Sequence, residues 1–227
     1  MHNLEITCHL KSPMTDQPPK FDGLLGWVLG IEHQTYCSKT TKLEYAYALP
    51  VPLEKEYFDQ GDSRGWFYKC SDPIFKVENE WIERWAKRVD THKIVQKVVK
   101  YPKSISTGSG QYKQYYAAMN CKDIRIIKYF ARGDKIETER ILNKIHAIGN
   151  KRSYGYGFIK FWEVNEINED YSVCYDLGKE GKMLMKTIPV CYLKNIRDLA
   201  VQNLRKEFGR YKLPYWYPTV DEVVIPC

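Results

Sequence analysis

The sequence holds seven cysteines, Cys8, Cys37, Cys70, Cys121, Cys174, Cys191 and Cys227, but no C-x-x-C pair. An odd number of widely separated thiols argues against a secreted disulfide framework, and the missing close pairs argue against a structural zinc site. No apolar stretch is long enough to cross a bilayer, and the first ten residues carry no basic segment leading into an apolar run. The expected location is therefore the cytoplasm, with no membrane contact. Neither G-x-x-x-x-G-K-[ST] nor G-x-G-x-x-G occurs, which excludes the usual nucleotide and dinucleotide cradles. Carboxylates do not gather. Asp16, Asp22, Asp59 and Asp62 are scattered among turn-like segments, so a metal-dependent nuclease is disfavoured, and neither a metal nor a cofactor is expected. Internal repeats and low-complexity tracts are also missing.

What is present describes a folded chain. Its 227 residues suit one large domain or a domain with an insertion, and 44% hydrophobic and 14% aromatic residues exceed what a disordered segment carries. The balance of 35 bases against 28 acids, +7 overall, weakly favours an anionic partner.

Periodicity predicts a strand over residues 4–10. A helix follows over 21–31, where Phe21, Leu24, Leu25, Val28 and Ile31 share a face and the glycines permit close packing. A second strand is predicted over 45–53, ended by Pro50 and Pro52. The pattern loosens from 54 to 120, where a turn-rich stretch at 59–65 precedes Trp66, Phe67 and Tyr68 and reads as a projecting hairpin or irregular insertion. A strand covering 123–132 is predicted to be partly buried on both faces. Asp134 and Glu137 form a capping-box pattern for a second helix with the stripe Ile141, Leu142, Ile145 and Ile148, stopped by Gly149. A strand follows over 158–164. This order is the split βαβ arrangement of an α+β, ferredoxin-like (RRM-like) fold with a long insertion between its second and third core strands. Residues 1–165 form the expected core, with the insertion at about 54–120. Residues 166–227 form an extension that packs on the core, with a strand near 183–192 and a possible helix over 194–208. Its tail, 213–218, reads as an aromatic clasp against the core or an anchor for a partner, the clasp being favoured.

Two signals point to RNA. The stretch from Thr91 to Lys122 contains Lys93, Lys97, Lys100, Lys103, Lys113 and Lys122 and no acid, a pattern that fits a phosphate track or an ordinary solvated loop. Within it, Ser104, Gly108 and Gly110 allow close backbone approach, while Tyr112, Tyr115 and Tyr116 are available for stacking. The second signal, Gly149-Asn150-Lys151-Arg152-Ser153-Tyr154-Gly155-Tyr156-Gly157, follows a helix rather than preceding one, so its anion must be held by Lys151, Arg152 and loop amides rather than by a helix N-terminus. A helix C-cap followed by a tight turn explains Gly149 but not the remaining glycines or the adjacent bases.

Phe21-Asp22-Gly23-Leu24-Leu25, Gly108-Ser109-Gly110-Gln111-Tyr112-Lys113, the Gly149 to Gly157 loop and Pro214-Tyr215-Trp216 resemble the RAMP superfamily of CRISPR proteins. The resemblance is greatest to the subunit capping the five-prime handle of the guide RNA, in its short type IV form. It implies a palm-like core, an inserted thumb within 54–120 and contact with guide RNA. It also implies contact with the RAMP backbone subunit and a large-subunit-like protein, with target DNA nearby. Some relatives cut RNA without metal, and His92-Lys93, His9-Lys11 and His146 are the residues that would do so here. The readings carried forward are a non-catalytic capping subunit, a metal-independent endoribonuclease that processes repeat RNA, and a structural subunit without RNA contact.

Overall fold

The computed structural model describes residues 1–33, 48–58, 65–88, 108, 113–199, 204–215 and 221–226. Its elements are β1 (His2–Leu10), α1 (Phe21–Glu32), β2 (Lys55–Tyr57), β3 (Trp66–Tyr68), β4 (Ile74–Phe75), β5 (Asn79–Lys87), β6 (Tyr115–Asp123), β7 (Ile126–Gly133), α2 (Lys135–Leu142), β8 (Ile159–Ile167), β9 (Cys174–Asp176), β10 (Lys182–Leu184), β11 (Ile188–Pro189), β12 (Leu204–Gly209) and β13 (Asp221–Pro226), with short 3-10 turns between. The chain is mixed α+β, mostly antiparallel sheet with few helices.

Alternation along β1 sorts its side chains. Leu4, Ile6 and Cys8 are wholly buried in the main core, each large aliphatic contributing about 1.5–3 kcal/mol, while Asn3, Glu5, Thr7 and His9 face the other way. Strand β1 lies between β7 and β8, and β4 extends the sheet beyond β7, giving the order β4-β7-β1-β8 with every pairing antiparallel. Helix α1 has no side-chain cap at Lys20, yet it is buried from Phe21 to Gly30 over most of its surface, so packing rather than propensity holds it. Its glycines do admit close neighbours. A Cβ at Gly26 would lie 2.7 Å from Leu213 Cδ1, and one at Gly23 3.5 Å from Tyr215 Cδ2.

Strand β3 divides two cores. Trp66 and Tyr68 join the main one, while Phe67 enters a second formed with Leu184, Ile188, Tyr192, Tyr211, Val223 and Val224. A buried polar latch joins the same regions. The Tyr215 hydroxyl donates to both oxygens of the wholly buried Asp22 at 2.8 Å, and the buried Lys186 ammonium lies 3.5 Å from Cys70 Sγ. Asp72 accepts from the amide and hydroxyl of Thr187 and pairs with Lys20 at 3.1 Å. The described part of the tail is thus a clasp on α1; Trp216 and Tyr217 lie outside the described residues.

Several sequence expectations need correction. Of the strand expected over 45–53, residues 45–47 lie outside the described residues, and 48–53 makes only a bridge from Leu53 to Gly133 because Pro50 and Pro52 lack the N–H a ladder needs. The β2–β3 hairpin does not project: Trp66, Phe67 and Tyr68 are 3%, 0% and 1% exposed. Strand β7 turns Ile127, Tyr129 and Ala131 into the core, while its other face is covered only in part, Phe130 meeting Tyr171 edge-on and Ile126 and Lys128 exposed; the strand is shorter than expected because a break at 124–125 turns Ile124 into the core. Helix α2 ends at Leu142, not at Gly149, because 146–148 pairs with 157–159 instead of continuing the helix. Glu137 donates its amide to Asp134 but turns its carboxylate to Arg140, so the box is half made. Of the possible helix over 194–208, residues 200–203 lie outside the described residues; a 3-10 turn ends at Asn195, and 204–208 belong to β12, which the β-branched Val223, Val224 and Ile225 of β13 draw into a sheet. Asp22 is a buried helical residue, not a turn residue.

Candidate nucleic-acid interface

The glycine-rich loop closes a short antiparallel pair. The Ile148 amide donates to Gly157 O and the Ile159 amide to His146 O, both at 2.9 Å, around a bridge between Ala147 and Phe158. At Gly157, φ is +66° and a Cβ would lie 1.9 Å from Ile148 O, so no side chain fits; its amide fastens the loop to Pro13 O at 2.7 Å. Gly155 has φ +97° but open space around it. Lys151 also takes a left-handed conformation, φ 58° and ψ 27°, which costs a non-glycine residue about 1–2 kcal/mol. The right-handed 3-10 turn Arg152–Tyr154 follows it. Among the described residues, the amides of Lys151, Arg152 and Ser153 have no hydrogen-bond partner, and neither Lys151 nor Arg152 has a carboxylate partner.

Strands β5 and β6 pair in register over nine residues each and lie against this loop. Tyr154 meets Trp85 edge-on with centroids 4.4 Å apart, and its hydrogen bond with Tyr115 raises the Tyr115 phenol above its usual pKa. The Tyr156 hydroxyl donates to Glu83; burial first, then this bond, raises its pKa. On the other side, the Arg152 guanidinium lies 4.8 Å from the Trp27 ring centroid, and Lys151 Nζ lies 5.8 Å from that of Tyr154. Thr15 Oγ1 donates to Asn150 O at 3.3 Å, and Asn150 Nδ2 to Asp16 at 2.7 Å. A cleft of about 340 Å³ opens between the loop and β6, lined by Thr15, Ala118, Met119, Asn120, Asn150 and Lys151.

The described end of the first basic signal reaches the second through the Tyr115–Tyr154 hydrogen bond. Lys113 is exposed two residues before Tyr115, and Lys151, Arg152, Ser153 and Tyr154 are exposed on the loop, Tyr154 by 47%. Gly108 is exposed with open space beside it, while Lys100, Lys103, Ser104 and Gly110 lie outside the described residues. Lys122 is a departure from an acid-free track: its ammonium approaches Glu80 to 3.9 Å, and its backbone is bonded in both directions to Met14. Sequence reasoning missed Trp27, Glu83 and Trp85. The alternation Trp81-x-Glu83-x-Trp85 was the available signal that one strand face meets something.

His92 lies outside the described residues, and His146 is exposed, its carbonyl committed to Ile159. The His9 ring stacks on Phe161 at 4.1 Å, with Nε2 3.6 Å from Glu163. A larger cleft, about 950 Å³, lies beyond the far end of β8, but Lys69 on its wall is already paired with Glu54 and Glu56 at 2.9 and 3.2 Å. Among the described residues no helix is long and apolar enough to cross a membrane, and no three His, Cys, Asp or Glu side chains gather as a ligand set.

No curated protein matches the chain. Residues 2–175 do match a family, that of the CRISPR type IV associated protein Csf3, and the chain belongs to it: it is a type IV CRISPR-associated subunit.

Proposed function

We propose that this subunit is a non-catalytic RNA-binding protein that caps the five-prime handle of the guide RNA in a type IV effector complex. The sheet order supports a ferredoxin-like RAMP core: α1 lies between β1 and β4 in the chain, with the β2–β3 pair after it, α2 lies between β7 and β8, and the four strands run β4-β7-β1-β8, a split βαβ pattern. We read the β5–β6 ribbon as part of the thumb within 54–120, residues 1–165 as the core that carries it, and 166–227 as the extension on the core. In the assembled complex the capping subunit meets the RAMP backbone subunit and a large-subunit-like protein, with target DNA nearby.

The observation that carries the reading is the exposed turn at Lys151-Arg152-Ser153. A left-handed residue followed by a right-handed turn lines up successive N–H groups into a concave nest, which accepts an anion, and here two cationic side chains flank it. The loop follows a helix C-terminus through a short strand pair, so no helix dipole assists, and the nest suits an extended phosphodiester rather than a nucleotide pyrophosphate. Arg152 can grip phosphate through two donors, and Tyr154 offers a stacking face. Gly149, Gly155 and Gly157 shape the nest. Lys113, with Gly108 and with Lys100, Lys103, Ser104 and Gly110 upstream of it, continues the phosphate track.

The Lys151→Ala/Arg152→Ala double variant tests this. It should retain its thermal midpoint within about 2 °C, because exposed loop substitutions cost less than about 0.5 kcal/mol. Guide-RNA occupancy of the complex should fall, and the log–log salt slope for single-stranded RNA should drop by about 1.4, roughly 0.7 per lost phosphate contact. Unchanged occupancy and slope would refute the site. The unsubstituted protein, incubated with repeat RNA in chelator, should bind without a specific cut; a site-specific cut would establish the endoribonuclease reading instead.

A further inference from the structure

We infer that the outer face of the four-stranded sheet carries a second nucleic-acid contact, a stacking platform for an unpaired base, centred on Phe161 and His9. The inference rests on the reading of the glycine-rich loop as an RNA site and extends it onto a different surface. Residues directly opposite in antiparallel strands share a face, and the register places His9 of β1 between Ile126 of β7 and Phe161 of β8. All three lie on the side away from Leu4, Ile6 and Cys8, and so away from the main core. Phe161 and Ile126 remain 41% and 43% exposed, so the described residues leave this row partly open. The His9 ring already stacks beneath Phe161, with planes 22° apart and centroids at 4.1 Å, which fixes the phenyl ring and leaves it partly open. Ile74, 39% exposed opposite Lys128, lies on the same face, and Phe158, the residue before β8, is 42% exposed.

Charge and position select the occupant. Lys160 Nζ lies 5.6 Å from the Phe161 ring centroid, and Lys11 is tied to Phe158 by its amide at 2.7 Å. Among the described residues neither lysine has a carboxylate partner, whereas Lys128 is engaged by Glu5 at 2.6 Å. The acid next to the row, Glu163, has an oxygen 3.6 Å from His9 Nε2. The platform sits near the start of β8, where the chain leaves the glycine-rich loop, and next to the end of β1, because Pro13 accepts the Gly157 amide and Ser12 Oγ the Phe158 amide. A partly open aromatic ring on the sheet, flanked by cations without a carboxylate partner among the described residues and continuous with the proposed phosphate-binding turn, fits a single-stranded RNA base whose phosphates run toward Lys11 and Lys151.

The test uses the full chain, a fluorescein-labelled 12-nucleotide single-stranded RNA and a matched strand with abasic sites. Phe161→Ala should weaken binding of the intact strand roughly tenfold without changing the salt slope, since a base and no phosphate is lost. Phe161→Leu, which keeps apolar bulk, should behave like Phe161→Ala, and Phe161→Trp should bind like the parent. The abasic strand should bind weakly and be indifferent to position 161. Parent-like affinity for Phe161→Ala and Phe161→Leu overturns the platform, as does an equal loss on the abasic strand. Intact RNA binding combined with failure to assemble with other effector subunits also overturns it, by making the face a protein interface. If position 161 has no effect while Lys151→Ala/Arg152→Ala still lowers the slope, this inference alone fails; a parent chain that binds neither strand removes the loop reading as well.

Discussion

Replacing Tyr215 by phenylalanine tests the clasp with the loss of one oxygen. That hydroxyl donates to both oxygens of Asp22 at 2.8 Å, and Asp22 is 0% exposed, so no water can take its place directly. Burial first, and then the adjacent Asp22, hold the phenol pKa well above its usual value, so the donor is present at any pH below about 10. Asp22 keeps the Gly23 amide at 2.9 Å, and the buried Lys186 is close enough to act on it electrostatically, so the loss is partial. A hydrogen bond to a charged acceptor contributes about 1.5–3 kcal/mol, and with one partner retained about 2 kcal/mol is the expected cost. In a chain of 227 residues this lowers the thermal midpoint by about 4–8 °C, at roughly 2–4 °C per kcal/mol. Differential scanning calorimetry reads this directly. Adding Asp22→Asn to Tyr215→Phe closes a double-mutant cycle, in which the second change should cost less than it does alone. A midpoint within 1 °C of the parent refutes the clasp, and a stable variant that no longer assembles with other effector subunits makes the tail a partner anchor.

Gly155→Ala should cost about 1 kcal/mol in urea unfolding, the price of a left-handed alanine in open space, while Gly157→Ala should cost about 3 kcal/mol because its methyl also displaces Ile148 O; equal losses would contradict this geometry. Glu32 accepts from Arg140 at 3.1 and 3.2 Å and from Lys144, bonds that hold its carboxyl down at about 2. A depressed carboxyl stabilises above its unfolded pKa near 4.5 and loses that contribution as pH falls toward 2. The midpoint gap between the parent and Glu32→Gln should therefore be present at pH 7 and shrink steadily below pH 4.5. With these side chains 26–49% exposed, the gap corresponds to less than about 1 kcal/mol. An equal gap at pH 7 and pH 3 would show that the pair does not act through charge.

Local patterns located β1, α1, β8 and the cap of α2, because alternation, heptad-like spacing and an Asp at the N-cap act over a few residues. The errors came from distant partners. Leu204 and Phe208 repeat at helical spacing, yet β13 pairs with them across a tail that is not adjacent in sequence. Ile145 and Ile148 continue the α2 stripe, yet 146–148 leaves the helix to pair with 157–159. At the candidate site, Lys151, Arg152 and Lys113 were legible as bases in acid-poor, glycine-rich surroundings. Trp27 and Trp85 were not, since each becomes a neighbour of the loop only through packing of α1 and the ribbon.

Lys151 is the one loop residue whose backbone would be easier for glycine or asparagine to adopt. A lysine there lowers the stability of the free subunit, so selection for thermal robustness alone would tend to replace it. Directed evolution scored on melting temperature and directed evolution scored on guide-RNA retention should then part company at this position, the first discarding the lysine and the second keeping it. The left-handed turn makes residue 151 a place where the sequence records which of the two pressures was stronger.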